Sequence, residues 1–91
     1  MVIISYDISN DKKRRRFARY LSKFGHRLQY SVFEIENSER ILNNIIADLN
    51  NKYMKVFEQT DSVYVFRLNP SCEIIRYGYA KNEESNMLIV K

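Results

Sequence analysis

Residues 2–16, VIISYDISNDKKRRR, pass from an apolar strand through an acidic residue to five consecutive cationic side chains. Val2 to Asp7 is rich in β-branched residues and reads as the first strand. Along it Val2, Ile4 and Tyr6 alternate with Ile3, Ser5 and Asp7, so the two sets face opposite sides of a sheet. Ser9, Asn10 and Asp11 are all capable helix caps, and Asp11, directly before the basic run, is the expected one. The helix is expected to reach about Phe24, with Phe17, Ala18, Leu21 and Phe24 on one apolar stripe. Lys12, Arg16, Arg19 and Lys23 fall on another side, Lys13 and Arg15 flank them, and Arg14 lies nearer the core side. Gly25 is a natural left-handed stop for the helix.

The rest of the chain continues in the same manner. Arg27 to Glu36 is extended in character and forms one bent strand or two short ones. Ser38 caps a second helix whose core face is Ile41, Leu42, Ile45, Ile46 and Leu49, fraying near Tyr53. Asp61 to Leu68 (DSVYVFRL) is a strand, Asn69-Pro70-Ser71 a turn and Cys72 to Tyr79 a further strand. Residues 81–86 read as a polar loop, and Met87, Leu88, Ile89 and Val90 as a short terminal apolar strand.

That order of elements predicts a two-layer α+β domain in which two helices cover one face of a mainly antiparallel sheet. Both faces of the first and later strands carry apolar side chains, although the helices can cover only one. Such an uncovered face calls for a partner, and sheet-to-sheet homodimerisation is the economical one. If Val2, Ile4 and Tyr6 face the helices, Asp7 lies on the open side with Ile3 and Ser5. A twofold axis there would bring two Asp7 carboxylates together. Like charges so placed need a proton or cation between them. Mg²⁺ or Mn²⁺, with several waters retained, suits such an oxygen-only set shared between two subunits. The plainer reading of Asp7 is a turn-forming residue at a strand end.

Composition narrows the partner. The chain has 91 residues and a formal net charge of +4. Eight of its fifteen Lys and Arg residues lie between Lys12 and Arg27, and no acid occurs from Lys12 to Phe33. A block so one-sided favours a polyanion, nucleic acid first, over a merely solvated helix face. One cysteine, Cys72, excludes an internal disulfide and a multi-cysteine zinc site. Placed in a strand, it reads as buried filler. His26, just after the helix-ending glycine, reads as a loop residue rather than a general base. The chain enters a strand without the charged and apolar regions of a signal peptide, and no apolar run approaches a membrane span. A cytoplasmic, membrane-free protein is expected.

These segments resemble the small CRISPR-associated spacer-acquisition family called Cas-two. The resemblance rests on YDISNDKKRRRF, on GHRLQYSVFE after the first helix, and on DSVYVFRL, and spans roughly residues 1 to 68. Gln29 to Glu34 is its most specific piece. It implies one ferredoxin-like domain over residues 1–91, with a core of about 1–80 and residues 81–91 as a loop and strand joining the partner chain's sheet. It also implies a homodimer built on the sheet faces that bridges dimers of the CRISPR integrase and captures double-stranded DNA. Many members are described as metal-dependent nucleases on RNA or double-stranded DNA. The family's metal-binding, catalytic aspartate matches Asp7, and its nucleic-acid-binding helix start matches Asn10, Lys12, Lys13, Arg14, Arg15 and Arg16, with Arg19 one turn on. Ser31 and Phe33 match a motif near the dimer centre, where positioning and packing roles are expected.

One carboxylate per chain is thin for a Mg²⁺ nuclease, so scaffolding of DNA through phosphate contacts is the expected main role. Two rivals are a stand-alone ribonuclease toxin of the related VapD type and a non-catalytic RNA-binding module stacking bases on Tyr30, Phe33, Tyr64 and Phe66.

Overall fold

Residues 1–75 and Tyr77 are described by the structure, a computed structural model. In chain order the elements are β1 (Val2–Asp7), α1 (Asp11–Leu21), β2 (Gly25–Gln29), β3 (Val32–Ile35), α2 (Glu39–Asp48), a π-helical turn Leu49–Tyr53, and β4 (Ser62–Arg67). The four strands form one antiparallel sheet in the order β2-β3-β1-β4. This is the ferredoxin-like arrangement of two interleaved β-α-β units, α+β in class.

β1 is central because both its edges are hydrogen-bonded. Ile4 faces Phe33 on β3 and Val65 on β4, while Ile3 faces Glu34 and Phe66. Residues directly opposite share a face. Val2, Ile4 and Tyr6 therefore join Phe33, Ile35, Val63 and Val65 on one side, and α1 and α2 cover that side with Phe17, Leu21, Leu42 and Ile45. Tyr6 meets Phe17 edge-on at 5.2 Å and stacks on Phe33 at 6.3 Å.

Several local expectations need correction. Asn10, not Asp11, caps α1: its backbone is extended and its side-chain oxygen accepts the Lys13 N–H at 2.9 Å. Asp11 is the first helical residue, and its carboxylate pairs with Arg14 instead. The helix ends at Leu21, a turn earlier than Phe24, although Phe24 still packs against the core. Gly25 is no left-handed stop but the first residue of β2. Its requirement is space: a Cβ there would lie 1.9 Å from the Glu34 carbonyl oxygen.

The extended stretch is two strands, joined through Tyr30 and Ser31, with an irregular register between Arg27 and Gln29. His26 is thereby a strand residue opposite Glu34 rather than part of a loop, its Nε2 3.6 Å from the Glu34 carboxylate. Ser38 caps α2 as expected, its Oγ accepting the Ile41 N–H at 3.3 Å. Ile46, however, falls off the buried stripe and is 36% exposed. The chain does not fray at Tyr53. The π-helical turn carries that ring into an aromatic cluster, 5.0 Å from Phe17 and 5.1 Å from Tyr20. Burial of three rings there outweighs the weak helix propensity of Asn50-Asn51.

The Asn69–Ser71 turn forms, with the Asn69 side chain accepting the Ser71 N–H at 2.9 Å. Residues 72–75, expected to start a strand, pair with no described strand, and Cys72 is exposed rather than buried. Instead Ile74, Ile75 and Tyr77 approach the open face of the sheet. The expected terminal strand Met87–Val90 and its loop lie outside the described residues.

Gly25→Ala should destabilise the protein by about 2 kcal/mol or more, because the new methyl meets backbone that cannot turn aside. Urea unfolding of the variant checks this, and an unchanged midpoint would contradict it.

Candidate metal and nucleic-acid site

Asp7 is the last residue of β1, exposed, on the face that the helices leave open and opposite Ser62 of β4. The strand end beneath it is tied to the β2–β3 turn: the Tyr6 N–H donates to the Ser31 carbonyl at 3.1 Å and the Tyr6 hydroxyl to the Tyr30 carbonyl at 3.4 Å. Ser31 thus meets β1 through its backbone carbonyl. Phe33 is 1% exposed within the helix-side core, under the Arg27 guanidinium, so its role is packing inside its own chain and it offers no open-face aromatic.

The open face is apolar beyond Asp7. Ile3, Leu28, Val32, Phe66, Leu68 and Ile75 line a groove of about 460 Å³. On its β4 side the Tyr64 and Phe66 rings stack 6.1 Å apart, yet remain 60% and 44% exposed. Burial of such rings is worth far more than their exposure, so this face is energetically incomplete in one chain.

The basic run divides into two functions. Arg14 donates to the Ile8 carbonyl at 3.1 Å and the Ser9 carbonyl at 3.5 Å, pairs with Asp11, and lies over the Tyr30 ring at 5.5 Å. The Asp11 hydrogen bond holds its pKa above the ordinary arginine value. Lys13 donates to the Val56 carbonyl at 2.6 Å and sits 3.9 Å from the Glu58 carboxylate. Asn10 is occupied as the helix cap. Lys12, Arg15, Arg16 and Arg19 are exposed, and no ion pair or hydrogen bond among the described residues engages their side chains. Of the seven residues expected to contact nucleic acid, these four remain presented to solvent.

Asp61 was not legible in the sequence as part of this region. Its carboxylate accepts the Ser9 N–H at 3.1 Å, the Ser9 hydroxyl at 3.3 Å and the Glu58 N–H at 2.9 Å. The Glu58 and Ser9 backbone donors, in that order, hold its pKa below the ordinary aspartate value. The sequence pattern predicts Asp61 as the first strand residue, whereas β4 begins at Ser62 and Asp61 stands just before it. Tyr20 donates to Asp48, and burial raises the pKa of both Tyr20 and Tyr53, so these phenols are neutral packing groups.

A divalent ion at Asp7 would find the right donor chemistry but too few donors. Among the described residues no three His, Cys, Asp or Glu side chains gather at one place. No helix among them is long and apolar enough to cross a membrane.

Comparison with known proteins places these features in context. The family model of the CRISPR associated protein Cas2 matches residues 1–73. A protein of Rhodospirillum rubrum named a CRISPR-associated endoribonuclease is 30% identical over 74 residues, 81% of this chain and 57% of that protein's length. One of Thermus thermophilus named a CRISPR-associated endonuclease is 30% identical over 77 residues, 78% of this chain and 86% of the other. The crystal structure of Streptococcus pyogenes Cas2 superposes with a TM-score of 0.63 at 27% identity, covering 77% of this chain and 87% of that one.

Reversing the charge of Arg15, Arg16 and Arg19 should weaken duplex DNA binding equally for all sequences, each lost phosphate contact lowering the salt slope by about one. Binding titrations over a salt series check this. An unaltered slope would make the stripe a solvated helix face.

Proposed function

Because this chain belongs to the Cas2 family of CRISPR associated proteins, we propose that it acts in CRISPR adaptation as a homodimeric scaffold that holds duplex DNA between integrase subunits. The observation that carries the reading is the open sheet face, whose apolar groove and exposed Tyr64 and Phe66 run on to the Asp7 end of β1. Closing it against a second copy removes apolar surface from water and supports a two-carboxylate site at the twofold axis. The exposed Lys12, Arg15, Arg16 and Arg19 supply phosphate contacts without base reading, which suits a protein that must accept DNA of any sequence.

Asp7 from each of two copies would hold one Mg²⁺ or Mn²⁺ with waters completing the shell. Bound there, the ion would supply Lewis acidity toward a phosphodiester and an activated water. The residues of the chain contribute the carboxylates, the rigid strand end that aims them, and cationic side chains that hold the polyanion. Cleavage of RNA at the same site is the second reading, favoured by the name endoribonuclease carried by several relatives. Base stacking by a lone RNA-binding module has less support, because Phe33 is buried.

Sedimentation equilibrium at micromolar protein should give a single dimeric species, and Phe66→Glu should shift it to monomer by placing a charge in an apolar contact. A folded wild-type monomer would overturn the sheet-face dimer.

Asp7→Asn removes the charge and keeps the size, so the fold should survive and the dimer should be no weaker in metal-free buffer. Mg²⁺- or Mn²⁺-dependent cleavage of RNA and duplex DNA should fall to background, while integration of DNA with the partner integrase continues. Retained cleavage would remove Asp7 from the metal site. Lost integration by a folded dimer would show the carboxylate to be needed for the assembly itself.

A further inference from the structure

We propose that Asp61 and Arg14 are positioning residues for Asp7, clamping the loop Ile8–Asn10 from opposite sides so that the carboxylate leaves β1 in one fixed direction. The inference rests on the reading of Asp7 as a metal-binding carboxylate and adds residues to which that reading assigns no such task.

Between the end of β1 and the start of α1 stand only Ile8, Ser9 and Asn10. Each is fixed by a different force. Ile8 is 2% exposed, and its carbonyl accepts from Arg14 at 3.1 Å. Ser9 gives both its N–H and its hydroxyl to Asp61, at 3.1 and 3.3 Å, while its carbonyl receives Arg14 at 3.5 Å. Asn10 is held by capping the helix. The signs match: the cation meets the loop's carbonyls and the anion meets its donors. Charge-assisted bonds of this kind are stronger than neutral ones. They engage the backbone N–H, the hydroxyl hydrogen and the carbonyl of Ser9.

Asp61 reaches this loop from 52 positions away in sequence. It is itself anchored, because its second oxygen accepts the Glu58 N–H. The segment before it is tied to α1 through Lys13 and the Val56 carbonyl. Arg14 closes the other side by lying over Tyr30, next to Ser31, whose carbonyl holds the Tyr6 N–H immediately before Asp7. The clamp therefore connects β4's entry, the helix start and the β2–β3 turn around one strand end. A purely local turn at residues 58–61 would need only the Glu58 contacts, not the two further bonds from Ser9. A metal shared across a twofold axis tolerates little misdirection of its two carboxylates, since residues that orient ligands typically contribute about 10–100-fold to affinity.

The test uses the 91-residue protein and its Asp61→Ala, Asp61→Asn and Arg14→Gln variants, with thermal melts establishing that each is folded. Amide hydrogen exchange at Ser9 and Asn10 is read in metal-free buffer, and Mn²⁺ binding is read by paramagnetic broadening of Asp7. In Asp61→Ala, Ser9 exchange should quicken by about tenfold or more, and Mn²⁺ affinity should fall by about tenfold. Asp61→Asn should lie between, because one amide oxygen can replace only one of two acceptors. Arg14→Gln should leave the DNA salt slope unchanged, whereas Arg15→Gln lowers it by about one. Folded Asp61→Ala protein with wild-type exchange and wild-type Mn²⁺ affinity would overturn the proposal. A slope reduced by Arg14→Gln would return Arg14 to the phosphate contacts and overturn its half. Wild-type protein that binds no Mn²⁺ at Asp7 would instead sink the metal reading, and unchanged Ser9 exchange in the variants would then sink the clamp separately.

Discussion

The double-edged hydrogen bonding of β1 is the constraint from which the rest follows. With β3 on one side and β4 on the other, β1 has no freedom of register. A shift of one residue would expose Val2, Ile4 and Tyr6 and bury Asp7. The helices hold this choice by packing Phe17, Leu21, Leu42 and Ile45 on the even-numbered side. Asp7 is consequently directed to the open face by the core behind it. The direction of the Asp7 carboxylate thus depends on hydrophobic packing several residues away.

The second determinant is how five adjacent cations are divided. A helix turns 100° per residue, so neighbouring side chains cannot share one environment. Arg14, directed toward the body of the protein, serves the loop after Asp7. Lys13 serves the segment around Val56 and Glu58. Lys12, Arg15, Arg16 and Arg19 remain for solvent or for a polyanion. The same basic run therefore ties down the loop after Asp7 and leaves four cations exposed.

Much of this could be read from the residues. Alternation in VIISYD, the Phe17–Leu21 stripe and the Ser38 cap each have short-range causes, and they determine the two-layer architecture. The inward lean of Arg14 followed from its spacing to Phe17 and Ala18. Missed features had long-range causes. Gly25 is demanded by the Glu34 backbone on another strand. Tyr53 is buried by rings from α1, and Asp61 accepts from Ser9, 52 positions away in sequence. Asn10 rather than Asp11 caps α1, while Asp11 pairs with Arg14, a contact that cap preference alone does not register. The pattern after Ser71 predicts a strand with Cys72 inside, but residues 72–75 only border the sheet's open side and leave Cys72 exposed.

The central claim is that the open face pairs with a copy of itself and brings two Asp7 carboxylates to one ion. Its most direct measurement is the stoichiometry of tightly bound Mn²⁺ on metal-free wild-type protein at micromolar concentration. One ion for every two chains, lost in the Asp7→Asn protein, is the predicted result. One ion per chain, or the same stoichiometry after Asp7→Asn, would contradict it.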